Sequence, residues 1–137
     1  VLDVKLPKRF YLTRRKAKFR RVLNEQDLVE VFTRFRIELV DDTELSFIAG
    51  VKLFADAELI LAQEGSGLAN LVFCEPGTKF LEIFPATTRE LFYSFADAMS
   101  LEYGYVTNGA QLGAGRKLNA DVTIDILKLT TALENMG

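Results

Sequence analysis

The sequence predicts an α/β fold: a mainly parallel β-sheet with helices on both faces, a Rossmann-like three-layer sandwich. Two patterns carry that expectation. Short apolar runs of strand length alternate with segments whose apolar residues recur every three or four positions, the signature of βαβ units. No Pro-, Gly- or Ser-rich linker breaks the alternation, so residues 1–137 read as one domain. A chain of this length buries roughly two thirds of its unfolded surface.

In chain order, Phe10-Tyr11-Leu12-Thr13 is the first strand, and residues 14–23 form a basic loop. Asn24 has the chemistry of an N-cap, and Leu28, Val31, Phe32 and Phe35 behind it make a helical stripe. Ile37 to Val40 is the second strand; Ser46 caps a second helix that buries Phe47, Val51, Phe54 and Ala55. Leu59 to Ala62 is the third strand, followed by the turn Glu64-Gly65-Ser66-Gly67 and a short helix over Leu68 to Phe73. In Glu75-Pro76-Gly77-Thr78, Pro presets φ and Gly permits a positive φ, which makes a turn. Lys79 to Phe84 is the fourth strand, ended by Pro85. Thr87 and Glu90 form a capping box ahead of a third long helix through Leu91, Phe92, Phe95, Ala96 and Met99. Tyr103 to Val106 is a short fifth strand. Residues 107–120, with Gly109, Gly113 and Gly115, read as a mobile loop. The last helix runs from about Ile124 to Met136, with Ile126, Leu129, Leu133 and Met136 on one face.

Composition narrows the chemistry. The chain has no His, which removes the commonest general base, the Ser-His and Cys-His nucleophile pairs and most zinc sites; no metal site is expected. The single Cys, Cys74, cannot form an internal disulfide and reads as a packing residue. No signal-peptide pattern opens these residues and no apolar run is long enough to span a membrane, so the cytoplasm is the expected location. Net charge is −2, but residues 1–21 carry nine Lys/Arg against one Asp. Such asymmetry marks an anion-binding element or a basic arm.

In a parallel sheet, ligands bind outside the carboxyl ends of the strands. Three features are expected there: the basic run Arg14, Arg15, Lys16, Lys18, Arg20 and Arg21; the glycine turn; and Glu82 with Pro85. The basic run reads either as a solvated loop, as a diphosphate site built on planar Arg forks, or as a polyanion arm. Only Phe19 interleaves it, which disfavours nucleic acid. The Gly65-Ser66-Gly67 backbone could cradle a phosphate, yet Glu64 stands at its mouth and would repel one. Glu82, inside Phe80-Leu81-Glu82-Ile83-Phe84, either lies on an exposed face or reaches a ligand hydroxyl.

Ordered blocks add a family resemblance. They are Tyr11-Leu12-Thr13-Arg14-Arg15, Arg21-Val22-Leu23-Asn24-Glu25, Leu45-Ser46-Phe47, Leu53-Phe54-Ala55-Asp56-Ala57, residues 65–73 and residues 76–85. Together they resemble the C-terminal half of glycosyltransferase family 61, also described as capsular-polysaccharide-biosynthesis-like, over roughly residues 10–106 and the last helix. The resemblance implies the C-terminal Rossmann-like half of a GT-B enzyme, with a nucleotide-sugar donor such as a UDP-sugar in place of any other cofactor. By that analogy Arg14 and Arg21 face the donor diphosphate, and Arg15 belongs to the same nucleotide-sugar site. Gly65, Ser66 and Gly67 form the loop beneath it, ordered by Asn70. Asn24 and Glu64 border the site, and Glu82 lies near the nucleoside. The sequence departs from the family where a loop His is replaced by Glu64 and a Glu-Gln pair by Ala49 and Gly50; the resemblance covers the C-terminal half alone, and on that reading a chain lacking the N-terminal domain is the expectation.

Three functions follow as expectations. The preferred one is a stand-alone domain without transferase competence of its own, binding a ligand or a protein partner, as a homo-oligomer or with an N-terminal domain in trans. The second is the working donor-binding portion of a glycosyltransferase. The third is a polyanion-binding protein using the basic loop.

Overall fold

A computed structural model describes residues 5–17, 21–63, 66–84, 96–107 and 123–136. Five strands, β1 (Arg9–Leu12), β2 (Glu38–Val40), β3 (Leu59–Gln63), β4 (Lys79–Phe84) and β5 (Glu102–Thr107), form one sheet in the order β2-β1-β3-β4-β5. Every pairing is parallel, with Leu12 level with Val40 and Tyr11 level with both Leu39 and Leu61. This is a doubly wound order whose direction reverses between β1 and β3. The chain therefore adopts the Rossmann-like α/β fold.

Side-chain alternation along these strands builds two cores. Tyr11, Leu59, Leu61, Leu81, Ile83 and Val106 point to the face covered by α1 (Val29–Phe35) and α3 (Ile126–Met136), where they meet Phe32, Leu129 and Leu133. Phe10, Leu12, Ile60, Ala62 and Phe80 point to the opposite face. There α2 (Phe47–Ala55) and a 3-10 segment, Ser66–Phe73, supply Leu53, Phe54, Leu68 and Leu71. All five residues of β3 are buried, as expected of a parallel strand covered on both sides. Ring contacts fix both layers: Phe10 meets Phe54 edge-on at 5.6 Å, and Tyr11 meets Phe32 at 5.0 Å. On the first face, a Cβ at Gly104 would lie 3.2 Å from both Leu81 Cδ1 and Met136 Sδ, so α3 seats closely on β5 at a glycine.

Local chemistry explains several boundaries. Ser46 caps α2, its Oγ accepting from Ala49 N at 3.1 Å. In the turn before β4, Thr78 N donates to Glu75 O at 3.2 Å and Gly77 takes φ 89°, the positive value its position requires. Other expectations need correction. Asn24 makes no side-chain cap bond; it precedes a 3-10 turn, Glu25–Leu28, and its amide is used elsewhere. Phe47 is 78% exposed rather than buried. Helical phase puts it in line with Gly50 and Phe54, but α2's first turn stands at the carboxyl edge of the sheet, where no described residue covers it. Residues 66–73 form a 3-10 rather than an α-helix. The capping box at Thr87 and Glu90, most of the helix behind it, and the loop from Asn108 to Asn119 lie outside the described residues.

Cys74 is buried in the second core, and burial pushes its thiol up to about 12. The thiolate is the reacting species. A thiol-disulfide reagent at pH 8 is therefore expected to label Cys74 only as fast as the protein opens, and at once in urea. Rapid stoichiometric labelling of the native protein would contradict this packing.

Candidate functional site

Because all five strands are parallel, their carboxyl ends share one edge. A cavity of about 230 Å³ opens there, at the β1/β3 reversal. Thr13 and Arg14 enter it directly from the end of β1, with Lys16 and Ala17 from the loop beyond. Asp41, Asp42 and Thr43 enter from the end of β2, Gln63 ends β3, and Leu12 and Leu68 give it an apolar floor. Thr13 N donates to Val40 O at 2.9 Å, which holds the first two strand ends level.

Charge in the cavity is mixed. Asp41 Oδ1 accepts from Thr43 N at 3.0 Å and from Thr43 Oγ1 at 2.5 Å. Its Oδ2 lies 3.3 Å from Lys16 Nζ, and Lys16 also bonds Glu44 on the rim. The Thr43 hydroxyl bond, supported by Lys16, holds the Asp41 carboxyl below its usual range. Its neighbour Asp42 is shifted upward, first by burial and then by the charge of Asp41. Glu44 and Asp41 together hold the Lys16 ammonium above its usual range.

A second network anchors the start of the basic loop. Glu25 accepts from Tyr11 Oη at 2.9 Å, and Thr13 Oγ1 lies 2.8 and 2.9 Å from its two carboxylate oxygens. Thr13 Oγ1 in turn accepts from Arg15 N at 3.2 Å. Burial, and then the charge and hydrogen bond of Glu25, push the Tyr11 hydroxyl far above its ordinary value.

The candidates read from the sequence separate into groups. Arg14 lines the cavity, and Gln63 and Leu68, which bracket the glycine turn in sequence, line it too. Ser66 and Gly67 open the 3-10 segment. Glu64 and Gly65 lie outside the described residues. Arg15 and Arg21 are exposed and are not among the cavity-lining residues described. Asn70 Nδ2 would be 3.6 Å from a Cβ at Gly50, so its amide rests near α2. Asn24 is committed to the chain's far end: Nδ2 donates to Ile124 O at 2.8 Å and Oδ1 accepts from Ile124 N at 2.9 Å. Glu82 is not on an exposed face. It is wholly buried, with Tyr103 Oη donating to its Oε1 at 2.8 Å.

Asp41, Asp42 and Thr43 were not among the candidates. The available signal was an Asp-Asp-Thr run directly following the apolar Leu39-Val40 of a strand. It becomes meaningful once β2 is known to lie beside β1.

A family model described as Glycosyltransferase 61 matches residues 2–81, a stretch that includes β1, β2 and β3, whose carboxyl ends build the cavity. No curated protein sequence matches the chain. The match covers more than half of the residues and agrees with the parallel sheet, and on that ground the chain belongs to glycosyltransferase family 61.

Proposed function

We propose that this chain binds a nucleotide-sugar, as the donor half of a GT-B-type glycosyltransferase, and does not transfer the sugar alone. One observation carries the reading. The cavity at the sheet reversal brings the cations Arg14 and Lys16 together with the carboxylates Asp41 and Asp42. A nucleotide-sugar presents both complements, an anionic diphosphate and hydroxyl donors on ribose and sugar. Guanidinium-phosphate pairing favours Arg14 as the diphosphate contact. Transfer also needs groups placed on both sides of the reacting carbon, and this cavity supplies one wall.

The test is calorimetric titration with UDP, UDP-sugars and GDP-sugars at low and moderate salt. Micromolar binding that weakens with salt is expected, with a loss of roughly tenfold or more in Arg14→Ala, the scale of one charged hydrogen bond. No binding up to millimolar nucleotide would overturn the reading.

A further inference from the structure

Resting on the nucleotide-binding reading above, we infer that Asp41 reads a ribose hydroxyl of the bound nucleotide through its Oδ2, while Lys16 turns from Asp41 to the diphosphate. Asp41 is the first residue beyond β2, and the Thr13–Val40 backbone bond holds it level with the start of the basic loop after β1. In dinucleotide-binding doubly wound folds the phosphates lie on the turn after the first strand, and a carboxylate further along the chain accepts from the ribose; Asp41 stands in the comparable place here. The side chain of Asp41 is only 5% exposed and lines the cavity. Its Oδ1 is occupied by Thr43, whereas Oδ2 faces only the Lys16 ammonium, at 3.3 Å, among the described residues. A buried carboxylate oxygen with spare accepting capacity is costly unless something fills it. A ligand O–H would fill it.

Lys16 is free to make the exchange. Its side chain is 57% exposed, and its second partner, Glu44, is 62% exposed on the rim. The Lys16–Glu44 pair, exposed on both sides, holds weakly, and the ammonium itself is open to solvent, so a diphosphate can compete for it and uncover Oδ2. Glu82, the carboxylate first associated with the nucleoside, is already engaged by the Tyr103 hydroxyl.

The experiment titrates UDP, GDP, their 2′-deoxy and 3′-deoxy counterparts, and inorganic pyrophosphate into the wild type and Asp41→Asn. The variant keeps the carbonyl that Thr43 needs, and a melting curve confirms its fold. In the wild type one deoxy position is expected to cost about tenfold to hundredfold in affinity, the weight of a hydrogen bond to a charged group. Asp41→Asn is expected to lose most of that preference and to bind pyrophosphate at least as tightly as the wild type, because Lys16 no longer has to leave a carboxylate. Equal affinity for ribose and deoxyribose forms, or a preference that survives in Asp41→Asn, overturns the Asp41 assignment while leaving nucleotide binding standing. Failure of the wild type to bind either nucleotide or pyrophosphate overturns both.

Discussion

Asn24→Ala is expected to lower the melting temperature by roughly 10 °C. The amide of Asn24 closes a two-bond ring with the backbone N–H and C=O of Ile124, one hundred residues away. Ile124 is 1% exposed, so both of its peptide groups rely on the amide for their hydrogen bonds. Each unsatisfied buried group costs about 1–3 kcal/mol, giving roughly 2–6 kcal/mol for the pair. Asn24→Asp is expected to be worse than the size of the change implies, because it sets a carboxylate oxygen against the Ile124 carbonyl where an N–H stood. The effect is expected to appear in thermal and urea melts. Wild-type nucleotide affinity should persist in Asn24→Ala at temperatures where it stays folded. A variant that melts like the wild type but loses nucleotide affinity would instead make Asn24 a ligand contact, the role the family resemblance implies.

That contrast shows where sequence reading succeeds. Lys79–Phe84 is read residue for residue, because a Pro-Gly turn precedes it and Pro85 follows. Ser46 is likewise legible as a cap, since its partner Ala49 is three residues on. Both are local decisions. Asn24 has the same cap chemistry, but its partner lies at the other end of the chain, and no local pattern reports that pairing. Phe47 fails for a related reason: helical periodicity sets its direction, while burial depends on whether another element lies that way. The site divides along the same line. Arg14 follows from its position just beyond an apolar strand, whereas Asp41 joins it only through the register of β2 on β1.

Tyr11 and Glu25 give the other large effect, and pH exposes it. Tyr11 is 0% exposed, and Glu25 accepts a hydrogen bond from its hydroxyl. Removing the acceptor in Glu25→Ala strands that hydroxyl and releases Thr13, at a cost of roughly 2–4 kcal/mol. Tyr11→Phe, which removes the donor without creating a void, costs less, and in the double variant the loss of Glu25 matters less than it does alone. The raised Tyr11 value also sets a direction with pH. Above the ordinary tyrosine value of 10.0 the unfolded chain releases the proton while the folded chain keeps it. The folded state then binds more protons, so stability is fully present below that value and falls as pH rises, by about 1.4 kcal/mol per pH unit from this group. Cys74, raised from 9.0 to about 12, falls off in the same direction from a lower starting pH. Urea melts of wild type and Tyr11→Phe between pH 8 and 11 separate the two contributions. Parallel curves for the two proteins above pH 10 would mean that Tyr11 ionises in place, and that Glu25 does not hold it neutral beneath the basic loop.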